Sequence, residues 1–171
     1  ATIVTSIAMF YDLEDPVQFA ADIEAVLADN GVWHFEQSYL PSMLRTNSYD
    51  TICQEHLEYY SLISVKYILE KAGLRILDIE QNDINGGSFA VTAAKKGSTL
   101  PSNDAVINWM LEEEIRMGLN TEKPYREFAE RVEAHKTSLL DLLDRLKNDG
   151  KKIIGYGAST KGNVLLQYCG I

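Results

Sequence analysis

Thiols are nearly absent from this chain: Cys53 and Cys169 are its two cysteines. They make neither a disulfide framework nor the paired spacing of a metal knuckle, and they read as reduced thiols in a cytosol. Basic residues are outnumbered, 16 Lys and Arg against 25 Asp and Glu, for a formal net charge of −9. No basic face invites DNA or RNA by counterion release, so nucleic acid is not expected as a partner. Long apolar runs are missing too. Nothing reaches the roughly 18 to 20 residues that span a bilayer, and no charged segment precedes an apolar one as in a secretory signal. A soluble, cytoplasmic protein with no membrane partner is expected. An initiator methionine is also lacking: the chain opens on TIVTSIAMF, already strand-like, and is expected to start inside a longer protein. What composition does supply, 46% hydrophobic and 24% charged residues over 171 positions, suffices for a packed core.

Patterning along the chain alternates strand and helix. Thr2 to Phe10 reads as a strand buried on both faces. Asp15 and Pro16 open a helix carrying Phe19, Ile23, Val26 and Leu27, closed by Asn30 and Gly31. Val32 to Leu40 is a second strand, ended by Pro41. A polar loop follows, then a helix from about Ser61 to Ala72 with Leu62, Val65, Ile68 and Leu69 on one face, capped by Gly73. Leu74 to Glu80 and Ser88 to Ala94 read as an antiparallel pair joined by QNDINGG. The order is α/β with a terminal hairpin, as in the second half of a class I methyltransferase sheet. From Ser102 to Gly150 the texture is helical. Asn103 to Leu119 carries Val106, Ile107, Met110, Leu111 and Ile115, and its EEEIR cluster reads as a solvated face. Pro124 to Asn148 repeats Phe128, Val132, His135, Leu139, Leu142 and Leu146, a spacing that predicts a partner helix or a second copy of the chain. His135 reads as an interfacial or core histidine.

Two segments concentrate chemistry. KKIIGYGASTKG sets Gly155, Gly157 and Gly162 after a short predicted strand and before a helix beginning near Ser159. Glycines let the backbone turn tightly toward a ligand, the helix N-terminus offers free N–H donors to a phosphate, and Lys161 adds a cation. The spacing departs from G-x-G-x-x-G because Thr160 stands at the third position, so a plain tight turn between strand and helix remains open.

SYDTICQEHLEYYSL, Ser48 to Leu62, is the second. Adjacent side chains diverge on helix and strand, so Glu55 and His56 serve one cavity only on irregular backbone. In open α/β sheets the ligand crevice lies outside the carboxyl ends of the strands, where this loop and the Tyr11–Asp12 pair both fall. Several readings compete. A metal site lacks further ligands at suitable spacing, since His34 and His135 sit in distinct elements. Cys53 as nucleophile with His56 as base lacks an oxyanion loop. A polar cap on the sheet end is a further reading. General-base chemistry suits an imidazole titrating near neutrality beside a carboxylate.

Three blocks, SYDTICQEHLEYYSL, NDINGGSF and GYGASTKG, stand in the order and approximate spacing of the sugar C-methyltransferase family, which this chain resembles over nearly its whole length. The resemblance implies methyl transfer from S-adenosylmethionine to the carbon beside the ketone of a nucleotide-linked deoxysugar. It implies half of a class I methyltransferase domain over 1–98, a helical connection over 99–150, and the opening of a Rossmann-like domain over 151–171. Zinc would belong to an N-terminal domain outside this chain, and no metal ligands are expected within it. His56 falls on the family's proposed base and Glu55 on its partner. Tyr11, Asp12, Cys53 and Tyr59 are assigned to the substrate, and Gly155, Gly157, Ser159 and Lys161 to its diphosphate. Ala8 and Met9, at the end of the first strand, neighbour the cofactor by position. Two sites depart from the pattern: Cys53 and Gln54 replace a tyrosine and a histidine common in members, and Asp12 replaces a histidine. Rival readings are a fragment of an NAD-dependent oxidoreductase, from the terminal glycine turn, and a non-catalytic binding or assembly module built on the long helices.

Overall fold

Aromatic side chains decide where this chain folds. Phe10 has ring centroids at 5.3 Å from Phe35, 5.2 Å from Tyr60 and 5.5 Å from Trp33. These rings come from three separate segments, and burying them together draws strand ends and loop onto one core. The computed structural model describes residues 1–157 and 159–171, with no account of the Asn85 side chain. Ala158, within the glycine turn, lies outside the described residues.

Four strands form one sheet in the order β1 (Ile3–Ile7), β2 (Val32–Ser38), β4 (Ser88–Lys95), β3 (Leu74–Asn82). β1 and β2 are parallel, pairing Thr5 with His34, while β4 runs antiparallel to both of its neighbours. This is the arrangement expected for the terminal half of a class I methyltransferase sheet. A parallel pair puts the carboxyl ends of β1 and β2 on one rim, and the start of β4 arrives there beside Ser38.

Helix α1 (Pro16–Val26) is capped by Asp15, which accepts from the Gln18 N–H at 2.9 Å. Helix α3 (Leu62–Lys71) is capped by Ser61, which accepts from the Ser64 N–H at 3.3 Å. Their apolar faces join Trp33, Phe35, Phe89 and Val91 of the sheet and Ile107 and Met110 of α4 (Asp104–Met117) in one core. The Trp33 indole donates to the buried Ser6 hydroxyl at 2.9 Å, which pins β1 to β2.

β1 departs from the expected strand buried on both faces. It is shorter, because Ala8 adopts a left-handed φ of 52° and Phe10–Asp12 close a 3-10 turn. Ile3 and Ile7 are 65% and 57% exposed, since no described residue covers that face. Pro41 does more than end β2. Free of a ladder partner and fixed in φ, it starts a short helix, α2 (Leu40–Thr46).

Below the rim a second cluster of Met43, Leu44, Tyr49, Leu119, Phe128 and Val132 joins α2 to α5 (Lys123–Asn148). Only the first half of α5 is packed this way, and Leu142 is 42% exposed. His135 on α5 is exposed, with Nδ1 2.9 Å from the Tyr49 hydroxyl, so of the interfacial or core positions expected it takes the interfacial one, between α5 and the loop. Residues 151–154 form no strand, because no described strand stands beside them to share hydrogen bonds. Helix α6 (Thr160–Cys169) follows, capped by Ser159. Among the described residues no helix is long and apolar enough to cross a membrane.

Candidate functional site

The reactive loop leaves α2 through Asn47, a left-handed residue with φ 59°, and turns through a single 3-10 turn at Tyr49–Thr51. No repeating backbone ladder holds it from there to Tyr60, so its hydrogen bonds go elsewhere. Leu57 and Glu58 both donate their N–H groups to the Tyr11 carbonyl, at 3.0 and 3.1 Å. Leu40 donates to the Tyr60 carbonyl at 2.9 Å. The loop is thereby stitched to the ends of β1 and β2.

This stitching carries His56 into the rim. Its ring lies 4.5 Å from that of Tyr11, and its Nδ1 is 2.9 Å from the Thr51 carbonyl oxygen. A carbonyl only accepts, so Nδ1 carries the proton and Nε2 keeps its lone pair in the neutral ring. Thr51 O also accepts from the Tyr59 hydroxyl at 3.3 Å. His56 lines a small pocket with Tyr11, Ser38, Tyr39, Thr51, Glu58 and Tyr59, with free space of about 10 Å³, roughly one water.

Glu55 does not share this pocket. Its carboxylate is exposed and lies outside the residues that line the pocket, while the Nδ1 of the imidazole is held by the carbonyl of Thr51. Its own backbone N–H, and then the Cys53 thiol, hold Glu55 below the usual carboxylate range. Burial, and then Glu55, push the Cys53 thiol up. Both face an open groove of about 600 Å³, whose far wall is Thr160, Asn163, Gln167 and Tyr168 of α6. Asp12 is exposed and stands outside the residues lining the imidazole pocket. Burial comes first, then the charges of Asp12 and Cys53, in raising the Tyr11 phenol above its ordinary value.

Ala8 is exposed and Met9 half-buried at the carboxyl end of β1, and Ala8 N–H donates to Glu36 O at 2.8 Å. Gly155 and Gly157 lie in the open, with no heavy atom within 4 Å of the position a Cβ would take. Ser159 Oγ accepts from the Gly162 N–H at 3.3 Å, and Lys161 is half-buried beside it. Among the described residues, no group of three or more His, Cys, Asp or Glu is placed to hold a metal.

Two residues of this region escape a reading of the loop alone. Thr51 contributes only its main chain, which carries no side-chain signal. Glu114 belongs to the EEEIR cluster expected to face solvent, yet it is wholly buried, and its carboxylate accepts from Tyr39, Leu62 and Ile63. Its position seven after Ile107 and four after Met110 places it on the core stripe of α4, so helical spacing was the available signal.

The chain matches the family described as C-methyltransferase C-terminal domain over residues 83–171, just over half its length. The chain belongs to the C-methyltransferase family. C-methyltransferase NovU of Streptomyces niveus is 37% identical to it over 162 residues, which is 95% of this chain and 38% of that protein. The chain therefore spans well under half the length of that relative. A chain from the complex of the Haloferax volcanii Trm112 methyltransferase activator with a methyltransferase is 13% identical. Its TM-score is 0.48, with 55% of this chain and 53% of that one covered. An Aquifex aeolicus SAM-dependent methyltransferase is 20% identical, with a TM-score of 0.39 and 53% and 44% covered.

Proposed function

We propose that the full-length protein methylates the carbon beside the ketone of a nucleotide-linked deoxysugar, with His56 as the base that removes the proton. The observation that carries this reading is the imidazole at the strand ends, with Nδ1–H given to Thr51 O, which leaves Nε2 as the nitrogen that carries the lone pair. A neutral imidazole of that tautomer takes a proton on Nε2 and becomes an imidazolium, which the same carbonyl continues to hold. The electron pair left on carbon delocalises onto the ketone oxygen. Tyr11 supports that oxyanion: it lines the same pocket, and its raised phenol stays protonated as a donor. Membership of the C-methyltransferase family supports carbon as the accepting atom.

S-adenosylmethionine, when bound, supplies the methyl group that this carbon accepts. The end of β1 fits such a ligand: Ala8 offers only a methyl group on an exposed left-handed turn, beside half-buried Met9. At the start of α6, whose later residues wall the groove, Ser159 and Lys161, with the open Gly155 and Gly157, are the groups for the substrate's diphosphate. Glu55 and Cys53 border the groove and touch the substrate's sugar or its linkage; Asp12 adds an acceptor at the rim.

The test is exchange of deuterium into the carbon beside the ketone, measured in full-length protein. His56→Ala should slow exchange by about 10²- to 10⁴-fold. Exchange at the wild-type rate in that variant removes His56 from the role.

A further inference from the structure

A carboxylate with no exposed surface is disfavoured unless several donors meet it. Glu114 meets three. Oε1 accepts from the Tyr39 hydroxyl at 2.8 Å and the Leu62 N–H at 2.6 Å, and Oε2 accepts from the Ile63 N–H at 2.8 Å. Leu62 and Ile63 open α3, and the next N–H, from Ser64, already goes to Ser61. Glu114 thus completes the cap and sets its charge at the positive end of the helix. Burial, followed by Glu114, raises the Tyr39 phenol, so Tyr39 remains the donor.

Capping alone does not need a residue from another helix, 52 positions along the chain from Leu62. What Glu114 adds is a bridge. Tyr39 closes β2 and lines the His56 pocket, while Leu62 ends the reactive loop. One carboxylate on α4 therefore clamps the downstream stem of the loop to the end of β2, whose Ser38 and Tyr39 line the pocket that holds the imidazole. The Leu40 N–H to Tyr60 carbonyl bond lies in the same stem. We propose that Glu114 is a positioning residue for His56, holding residues 57–62 so that the imidazole stays against Tyr11 and Thr51. This rests on the reading of His56 as the base.

Glu114→Gln keeps the size but turns an NH₂ toward a backbone N–H, so one donor loses its acceptor. Ser61→Ala removes the neighbouring cap without touching the bridge and serves as the structural control. In full-length protein, Glu114→Gln should lower kcat for deuterium exchange by about 10- to 100-fold with little change in KM. It should also speed amide hydrogen exchange over residues 53–61, and Ser61→Ala should do neither. Equal effects of the two variants on both readouts would overturn the proposal. If Glu114→Gln does not fold, Tyr39→Phe carries the test: a drop in kcat at unchanged KM supports the bridge, and unchanged kcat refutes it. The amide readout does not depend on the reaction, so failure of His56→Ala to slow exchange would remove the base while leaving the Glu114 result to stand or fall by itself.

Discussion

The reactive loop and the glycine turn are both irregular segments crowded with candidate chemistry, but they are held in opposite ways. Within the loop, two N–H groups go to Tyr11 O, Tyr60 O receives one from Leu40, and Thr51 O receives the imidazole. Among the described residues of the turn, Gly155 and Gly157 have no heavy atom within 4 Å of the Cβ position, and Tyr156 between them is fully exposed. A base must be held within hydrogen-bond reach and in line with the proton it removes, whereas a phosphate contact tolerates looser geometry. The difference supports the proposed division, in which the exacting step falls to the loop and ligand capture to the turn.

The sharpest way to break that division is kinetic. Against the loss of about 10²- to 10⁴-fold expected for His56→Ala, Lys161→Ala should mainly raise KM for the nucleotide-linked substrate, by about tenfold, as for one charge-assisted contact. Deuterium exchange at saturating substrate separates the two. If Lys161→Ala lowers kcat as much as His56→Ala does, the turn takes part in the chemistry and the division fails.

Stability offers a second contrast between the frame beneath the loop and the open turn. Gly87 has φ 121°, and a Cβ there would stand 2.4 Å from Ser42 Cβ on α2, while Gly87 O accepts from Tyr39 N–H. Gly87→Ala forces α2 away from the start of β4 and should cost about 2 to 4 kcal/mol. Gly157, with φ 139°, meets nothing within 4 Å, so Gly157→Ala should cost about 1 kcal/mol of local backbone strain. Urea unfolding at matched pH measures both. Equal midpoints for the two variants would mean that the rim is as yielding as the turn.

Much of this organisation was legible before any coordinates. The hairpin, its antiparallel sense and the helices at Pro16 and Leu62 follow from apolar spacing and from capping residues that act locally. The glycine-turn helix does as well, because Ser159 caps it within one turn. What was not legible depends on distant partners. Lys151 to Ile154 has the composition of a strand, yet a strand exists only beside another. Glu55 and His56 read as a pair because they are adjacent, but the ring is held by the main-chain carbonyl of Thr51, which carries no signal in the sequence. Glu114 was hidden among charged neighbours, its burial decided by donors contributed from β2 and α3.

The smallest expected effect probes the side of the loop that faces the turn. Cys53 is half-buried, and its thiol is raised first by burial and then by Glu55. Only the thiolate alkylates, so Cys53 should react with iodoacetamide at pH 8 more slowly than an unhindered cysteine. Glu55→Gln removes the lesser cause and leaves burial, so it should restore only part of the rate. The carboxylate's own shift is downward, first through its own backbone N–H and then the thiol, so these contacts stabilise the fold above the unfolded pKa and are lost as pH falls through the folded value; with Glu55 exposed, that contribution is small. Lys161→Ala should leave the rate unchanged, since α6 faces Cys53 across open groove. Peptide mapping is needed to separate Cys53 from buried Cys169. A rate for Cys53 equal to that of a free thiol would show that Glu55 points elsewhere and that the loop is as loosely held on this side as the glycine turn.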